Sequence, residues 1–408
     1  MSNNALSGVL EGYKVLDFTQ YVAGPAATLM MAEMGAEILK VELAPRGDKS
    51  RLLPVQVDGR SGYYVQHNRG KKSLCIDARS PVGLAILKEL IAKVDVVTEN
   101  FAPGAFARLG LGWETVKAIN PRVIMCSVSA FGQTGPLANL PGFDTLGAAY
   151  AGITSMCGEP DGPPYGPGAA VGDVSTGTHA MGAIVCALLY RERTGRGQYI
   201  DISLLDNYFS YHDMNVQMLS VTKGEYKPNR SGLFSFYVAP VGTYKSRNGY
   251  MLIQCPRDDM FLGLCKAMGT PELAKDPRFI DNDSRVTNRM ILVEIIENWL
   301  ASMPSDDASL AAMQEHRVPC GPVLSVEEAT RHPHLRQRGT VRKVQDRILG
   351  EIDLPGFAFR FSDFPKPLNL QAPFLGEHNA EILSNYLGYS QDRIDALERG
   401  KILHHENR

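Results

Sequence analysis

The sequence feature that most restricts the fold is a repeated alternation of short apolar strands with amphipathic helices. Near the start of the chain, an apolar strand (14–18), a helical segment (24–36) and a second strand (37–42) follow one another closely. Two strands that are joined by a helix lie parallel in one sheet, and the connection between them is a right-handed crossover. The pattern continues with segments of helix, strand, strand, helix and strand at 83–94, 94–100, 122–132, 175–193 and 198–204. This alternation predicts an α/β fold with a Rossmann-like, doubly wound sheet.

The length of the chain predicts more than one domain. Its 408 residues exceed the roughly 250–300 at which a single core tends to divide. We assign residues 1–224 to the first part of a large α/β domain. Residues 225–325 form a smaller α+β domain, which contains a predicted hairpin at 242–254. Residues 326–408 are expected to return to the large domain.

Composition excludes some classes of function and indicates where in the cell the protein is located. A net charge of −2 gives no general attraction to nucleic acid or to an anionic membrane. No apolar run approaches the roughly 20 residues of a membrane span, and residues 1–12 lack the pattern of a secretory signal. The seven cysteines are widely spaced without a Cys-x-x-Cys pair, which predicts reduced thiols, with Cys186 in the core. These features together predict a cytoplasmic protein.

The common motifs for nucleotides, metals and serine nucleophiles do not fit. Residues 69–73 (RGKKS) resemble the end of a phosphate-binding loop, but Val65 stands where that motif needs its first glycine. No Gly-x-Gly-x-x-Gly follows a strand, and no Gly-x-Ser-x-Gly occurs. The histidines at 332–334 and 404–405 lack carboxylates or cysteines at ligand spacing. We therefore expect neither a metal site nor a tightly bound cofactor.

Asp173 is the acidic residue with the most suggestive surroundings. It lies between a stretch of small residues and a long predicted helix, with Gly172 before it and Gly177 one turn later. On spacing alone, the favoured interpretation is an N-cap that accepts hydrogen bonds from the free N–H groups of the helix. The same position favours an ionised carboxylate, because the helix N-terminus is electropositive, and such a carboxylate can act as a nucleophile.

Basic residues cluster in or near the loops that follow the early strands. They are Arg46, Arg69, Lys71, Lys72 and Arg108. Such residues commonly form a solvated surface, and the alternative is a pocket for a phosphorylated ligand. The sequence pattern alone leaves both interpretations open.

Eight phrases spread over nearly the whole chain carry a family resemblance. They begin with LEGYKVLDFTQYVAGPAATLMMAEMGAEILKVE (10–42), NRGKKSLCID (68–77), VTENFAPGAFARLGLG (97–112) and INPRVIMCSVSAFGQTGP (119–136). They end with GAAVGDVSTGTHAMG (168–182), RTGRGQYIDISLLD (193–206), VPCGPV (318–323) and LGEH (375–378). In this order and spacing, the chain resembles the class III CoA-transferases, of the formyl-CoA and carnitine CoA-transferase type.

The resemblance implies a covalent mechanism and a set of site residues. The family's nucleophile is the aspartate of the GDxxTG phrase, which corresponds to Asp173. Its contacts with coenzyme A correspond to Asn100, Phe101, Ala105, Arg108, Leu109, Lys71 and Lys72. The only cofactor-like molecule implied is CoA itself, bound as an acyl-CoA substrate. Similar family members are interlocked homodimers, so we expect the same assembly here.

Three departures from the formyl-CoA transferase pattern bear on the substrates. The phrase after the first strand reads Gln20-Tyr21-Val22, so Val22 replaces an active-site glutamine, and Phe143 replaces an active-site tyrosine. The glycine-rich flap of that enzyme has no counterpart between 225 and 260. These losses argue against formyl-CoA and oxalate as substrates.

The neighbouring α-methylacyl-CoA racemases pair an aspartate with a histidine in a Gly-His-Asp phrase. This chain has Gly142-Phe143-Asp144 there, and phenylalanine carries no exchangeable proton. The racemase is therefore the weaker alternative, and a non-catalytic acyl-CoA-binding protein is the third.

We expect CoA transfer from a donor such as succinyl-CoA to a small carboxylic acid. Arg46, Arg51 and Arg257 are candidate partners for a distal carboxylate, which favours dicarboxylic acceptors such as itaconate or mesaconate. Backbone N–H groups at Gly132 and Gly135 are candidate oxyanion donors.

Overall fold

The computed structural model describes Leu6, residues 8–364 and residues 367–406. The chain divides into two compact units. The first unit contains the chain up to Ala151, residues Pro167–His212 and the chain from Pro333 onward, and the second contains Gly152–Gly166 and Asp213–His332. The domain limits predicted near residues 225 and 325 stay predictions.

The strands of the described chain belong to one large sheet and three small ones. The large sheet consists of β1 (Lys14–Asp17), β2 (Glu37–Leu43), β5 (Lys71–Ile76), β6 (Val96–Glu99), β7 (Ile124–Ser129) and β8 (Gln198–Ser203). The others are β3 (Gln56–Val57), β4 (Arg60–Ser61), β9 (Val241–Lys245), β10 (Tyr250–Gln254), β11 (Cys320–Pro322), β12 (Val341–Asp346) and β13 (Gly350–Pro355).

The helices fall between these strands and at the end of the chain. In the first half they are α1 (Ala23–Glu33), α2 (Gly62–Asn68), α3 (Pro81–Ile91), α4 (Ala105–Arg108), α5 (Trp113–Ile119), α6 (Asp144–Tyr150) and α7 (Val171–Thr194). They continue with α8 (Leu204–Phe209), α9 (Asn215–Val221), α10 (Asp258–Ala267), α11 (Asn282–Thr287), α12 (Arg289–Ser302), α13 (Asp306–Glu315), α14 (Val326–Arg331), α15 (Pro333–Gln337), α16 (Asn379–Leu387) and α17 (Gln391–Arg399).

The six strands of the large sheet are parallel, in the order β5-β2-β1-β6-β7-β8. This confirms the predicted α/β class with a large parallel sheet. Apolar side chains of the strands alternate between the two faces, so that Leu16 packs with α3 and α5, and Val15 packs with α1 and α7. Helices on both faces are what a sheet of buried parallel strands requires.

The second unit is built around an antiparallel sheet. Strands β9 and β10 form the hairpin that the sequence predicts, with Lys245 opposite Tyr250, and β11 pairs with the other edge of β10. Tyr244, Met251 and Ile253 of this sheet pack against apolar side chains of α10, α12 and α13. This unit therefore has its own apolar core.

Buried charges connect the carboxyl end of β1 to the middle of β2 and to the first residue of β5. Asp17 accepts hydrogen bonds from the hydroxyls of Thr19 (2.5 Å) and Thr28 (2.7 Å), and its carboxylate pairs with the Lys71 ammonium at 3.0 Å. Lys40 donates to the backbone oxygen of Thr19 at 2.8 Å. Burial by itself would raise the pKa of Asp17, but the ammonium groups of Lys71 and Lys40 lower it to about 2. The loop after β1 is thus tied to the sheet through groups fully shielded from water.

Replacing Lys71 by Met should lower the free energy of unfolding by about 3–5 kcal/mol, because Asp17 stays buried without its ion-pair partner. Lys72→Met is the matched control. The Lys72 side chain is 33% exposed and pairs with Glu37 and Glu381 at the surface, so its loss should cost less than about 1 kcal/mol. Denaturant titration of both variants measures the difference, and equal losses would contradict the importance of the buried pair.

Candidate active site

Asp173 occupies the third position of α7, in its first turn. The helix begins four residues earlier than the sequence predicts, and its N-cap is Ala170, whose side chain makes no capping hydrogen bond. The capping interpretation of Asp173 is therefore wrong. The half-buried carboxylate instead stands at the electropositive end of the helix with no capping role there.

A glycine brings the start of α7 close to the start of α1. A Cβ atom on Gly177 would lie 2.6 Å from the backbone oxygen of Ala23 and 2.8 Å from the Cβ of Ala26. Only a residue without a side chain allows two helices to approach this closely. Since α1 begins at the carboxyl end of β1, this contact holds the first turn of α7, and with it Asp173, at the edge of the sheet where ligands bind in such folds.

A tyrosine connects two carboxylate-bearing segments at this edge. The Tyr208 hydroxyl donates a hydrogen bond to Asp144 Oδ1 at 2.5 Å and accepts one from the backbone N–H of Gly172 at 2.9 Å. Asp144 is the first residue of α6, and Gly172 immediately precedes Asp173. The hydroxyl therefore joins the starts of α6 and α7.

The electrostatics of Asp173 differ from the sequence expectation of a carboxylate that ionises readily. Burial, followed by the negative charge of Asp144, raises the pKa of Asp173 to about 7. These two effects outweigh the helix N-terminus, which on its own would favour the charged form. Near neutral pH the group is thus divided between its ionised and protonated forms. The ionised form is more basic, and hence a stronger nucleophile, than an ordinary carboxylate.

The loop after β1 is fixed by Asn100 at the end of β6. The Asn100 side chain accepts from the backbone N–H of Gln20 and donates to the backbone oxygen of Gln20, both at 2.8 Å. Tyr21 has a φ of +64°, a strained conformation for a residue of its size, and its ring meets Phe143 edge-on at 6.3 Å. Val22 is buried, whereas Phe143 is 69% exposed. The structure thus brings Gln20 to Asn100 and Tyr21 to Phe143.

Two predicted site groups are engaged within the protein. The backbone N–H of Gly132 donates to Ser129 Oγ at 2.9 Å, so it is not free to stabilise an oxyanion. The Lys71 ammonium contacts Asp17, Asn68 and the backbone oxygen of Pro25, and its side chain is fully buried. Neither group is positioned to meet a ligand.

The predicted CoA contacts other than the lysines lie together around α4. Ala105, Arg108 and Leu109 belong to this short helix and its end, and Phe101 stacks on Phe106 with ring centroids 6.0 Å apart. Arg108 is exposed. A cavity of about 320 Å³ lies beside Leu109, lined also by Leu43, Ala44, Pro45, Asp77, Ala78, Arg79 and His404. This part of the sheet edge can receive a ligand.

The three arginines proposed to read a distal carboxylate have different environments. Arg51 is engaged internally, with its guanidinium on Glu42 at 2.7 and 2.8 Å and on the Tyr64 hydroxyl at 2.6 Å. Arg257 belongs to the second unit, where it is exposed and pairs with Asp259. Arg46 is exposed on the loop after β2. Of the three, Arg46 is the one that the structure leaves at the surface of the first unit.

Sequence reasoning missed two tyrosines near Asp173. Tyr208 contacts both Asp144 and Gly172. Tyr63 of α2 lies close to Asp173: burial is the largest cause that raises the pKa of Tyr63, and the negative charge of Asp173 is the second. Neither tyrosine stands in a recognisable motif. The sequence held no signal for them, because both approach the site from other helices.

Metal ligands, membrane-spanning helices and cysteines were considered over the part of the chain that the structure describes. No group of three or more His, Cys, Asp or Glu residues within it is arranged to hold a metal ion. Within the same ranges, no helix has the length and apolar character needed to cross a membrane. The seven cysteines are free thiols, but Cys186 is exposed on α7, so its assignment to the core is wrong.

A family model, curated relatives and a solved structure all point to one family. The model of the family described as CoA-transferase family III matches residues 10–379. The chain is 34% identical to the succinyl-CoA:glutarate CoA-transferase of Mus musculus, covering 98% of this chain and 91% of the relative. It is 36% identical to the succinyl-CoA–D-citramalate CoA-transferase of Chloroflexus aurantiacus, covering 99% and 100%. A crystal structure of a CAIB/BAIF family protein from Brucella suis has a TM-score of 0.82 at 35% identity, covering 93% of this chain and 99% of that one.

Gly172→Ala should lower the free energy of unfolding by about 1–3 kcal/mol, since the new Cβ atom would lie 2.1 Å from the Tyr208 ring and 2.2 Å from Asp144 Oδ1. Gly182→Ala, in the same helix with nothing within 4 Å of its Cβ position, is the control. That change should be neutral or should stabilise by up to about 1 kcal/mol through helix propensity. Denaturant titration distinguishes the two, and a neutral Gly172→Ala would refute the close packing.

Proposed function

Because the chain belongs to CoA-transferase family III and is a CoA-transferase, we propose that it transfers CoA between two carboxylic acids through a covalent intermediate on Asp173. One observation carries this proposal. A half-buried carboxylate, whose pKa is raised to about 7, stands in the first turn of α7 at the carboxyl edge of the sheet. Burial removes the water that competes for such a group, which favours its use as a nucleophile.

The proposed reaction consists of two acyl exchanges with the donor, followed by two with the acceptor. The Asp173 carboxylate attacks the donor thioester carbonyl, the C–S bond breaks, and a mixed anhydride and CoA thiolate result. The thiolate attacks the Asp173 carbonyl of the anhydride, which forms an aspartyl-CoA thioester and releases the donor acid. The acceptor carboxylate attacks this thioester, and the thiolate then attacks the acceptor's carbonyl in the second anhydride. This frees Asp173 and yields the new acyl-CoA without an external energy source.

The residues around α4, at the carboxyl edge of the large sheet, support a binding site for CoA. We place the CoA moiety on the segment around α4, with Asn100, Phe101, Ala105, Arg108 and Leu109 as contacts. The exposed guanidinium of Arg108 provides charge for a phosphate group. Lys71 takes no part in this proposal, because its ammonium group is fully buried against Asp17. Lys72 stays a candidate contact, because its side chain is 33% exposed.

The proposed donor is succinyl-CoA and the proposed acceptor is a small dicarboxylic acid. Support comes from the names of the two relatives, each of which is described as using succinyl-CoA with a dicarboxylic acid. Itaconate and mesaconate belong to the same chemical class and are acceptors to test. The racemase alternative is not favoured, because Phe143 cannot supply the second proton-transfer group.

We also propose a cytoplasmic homodimer with interlocked chains. On α7, Val174, Leu189 and Tyr190 are large apolar residues that remain more than 40% exposed. An exposed apolar surface on a helix favours coverage by a partner, here a second copy. Light scattering in solution would give the number of copies.

Incubating the protein with a panel of acyl-CoAs, followed by borohydride or hydroxylamine trapping and peptide mass spectrometry, should place a modification on the Asp173 peptide. Asp173→Ala should abolish both adduct and turnover, because no carboxylate remains to attack, while CoA binding is retained. Asp161→Ala, which removes an exposed carboxylate in the second unit, is the control and should react like wild type. Turnover by Asp173→Ala, or an adduct elsewhere, would refute the assignment.

Asp144→Asn should move the acid limb of the pH profile of kcat/KM to lower pH. Removing the negative charge favours the ionised form of Asp173, so the pKa of Asp173 should fall from about 7 by roughly one unit. The asparagine oxygen can still accept the hydrogen bond from Tyr208. Asp161→Asn is the control and should leave the limb in place. An unmoved limb in Asp144→Asn would mean that Asp144 does not act on Asp173 electrostatically.

A further inference from the structure

Tyr208 is a buried tyrosine of α8 whose hydroxyl group is fully used in two contacts at the candidate site. Its side chain is 2% exposed, and the hydroxyl gives its one proton to Asp144 and receives one from the N–H of Gly172. A hydroxyl that accepts from a helix N-terminus becomes a better donor, because hydrogen bonds in series polarise one another. The two contacts therefore reinforce each other and place the Asp144 carboxylate beside the first turn of α7.

We propose that Tyr208 is a positioning residue for the CoA-transfer reaction, which controls the ionisation of Asp173 by holding Asp144 against the start of α7. The inference rests on the proposed nucleophilic role of Asp173. Tyr208 touches neither a reacting atom nor CoA in this proposal, and it acts through Asp144 alone.

The close packing at Gly172 supports a fixed position for Asp144. The ideal Cβ position of Gly172 is 2.2 Å from Asp144 Oδ1, so the carboxylate lies directly against the residue that precedes Asp173. Without the hydroxyl, Asp144 would lose its short hydrogen bond and could rotate toward water, where its charge is screened. The hydroxyl thus decides how strongly one carboxylate acts on the other.

A second contact from α8 clamps the same turn. The amide group of Asn207 donates to Ser175 Oγ at 2.8 Å and lies 3.5 Å from the backbone oxygen of Gly172. Adjacent residues of α8 thus hold both sides of Asp173, so that removal of the Tyr208 hydroxyl leaves the turn attached. The variant that lacks the hydroxyl therefore tests position rather than folding.

Other titratable groups near the first turn of α7 belong to α2, to α7 itself and to α8. On α2, the charge of Asp173 acts on Tyr63, as do the charges of Asp48 and Asp144. The His67 ring lies 5.0 Å from the Tyr63 ring. On α7 itself, the His179 ring is directed to the backbone oxygen of Ser175. In α8, Asp206 accepts from Ser203 Oγ. Beyond Asp144 and Tyr208, Tyr63 is the one for which Asp173 is a main electrostatic partner.

The test is the pH profile of kcat/KM for Tyr208→Phe, which removes only the hydroxyl group. The acid limb should move to lower pH, in the same direction as in Asp144→Asn and by no more than that variant, roughly one unit. In the double variant Tyr208→Phe, Asp144→Asn, the limb should lie where it lies in Asp144→Asn alone, because Tyr208 acts through Asp144. Tyr389→Phe is the matched control, since that buried hydroxyl also donates to a carboxylate, Glu89 of α3, and should leave the limb unmoved.

Two outcomes overturn the inference. An acid limb that stays in place in Tyr208→Phe, whatever the change in kcat or stability, would mean a structural role only. Shifts that add in the double variant would mean that Tyr208 acts independently of Asp144. If Tyr208→Phe does not fold, Tyr208→Met provides the same test with another apolar side chain. Failure of the nucleophile proposal is separately visible, because wild-type protein would then form no adduct on Asp173.

Discussion

The buried carboxylate of Asp17 is the constraint on which the arrangement of the site depends. It stands at the end of the central strand β1, where it gathers the hydroxyls of Thr19 and Thr28 and the ammonium of Lys71. A charge in this position is tolerated only when every oxygen is satisfied. These contacts fix the loop after β1 and the first turn of α1, against which α7 packs at Gly177. The position of Asp173 therefore depends on a network of buried groups.

The electrostatic character of Asp173 results from opposing influences. The start of a helix favours a carboxylate, while burial and the neighbouring Asp144 disfavour it, and the second pair prevails. A nucleophilic carboxylate needs enough basicity to attack a thioester, and it must also be ionised in part near neutral pH. A pKa of about 7 meets both requirements. Tyr208 matters in this balance because it determines where the Asp144 charge is held.

Lys71 and Lys72 are neighbours in one motif but have different environments in the structure. The phrase at 68–77 is one of those that carry the family resemblance, and nothing in it distinguishes Lys71 from Lys72. In the parallel strand β5 their side chains point to opposite faces. Lys71 enters the buried network, and Lys72 reaches acidic partners at the surface. Within this one basic phrase, Lys71 therefore contributes to the stability of the sheet, whereas Lys72 is left partly exposed.

The sequence by itself determined the α/β class, the family and the position of Asp173 at the start of a long helix. These follow from local information, since the alternation of apolar residues and the spacing of motifs are properties of neighbouring positions. Only the tertiary structure decided that Asp173 lies in the first turn rather than at the N-cap position, that the N–H of Gly132 is engaged, and that Tyr208 joins Asp144 to Gly172. Such contacts join residues far apart in the chain, and burial and charge act through space. No local pattern records which side chains folding brings together or how much water it excludes from them.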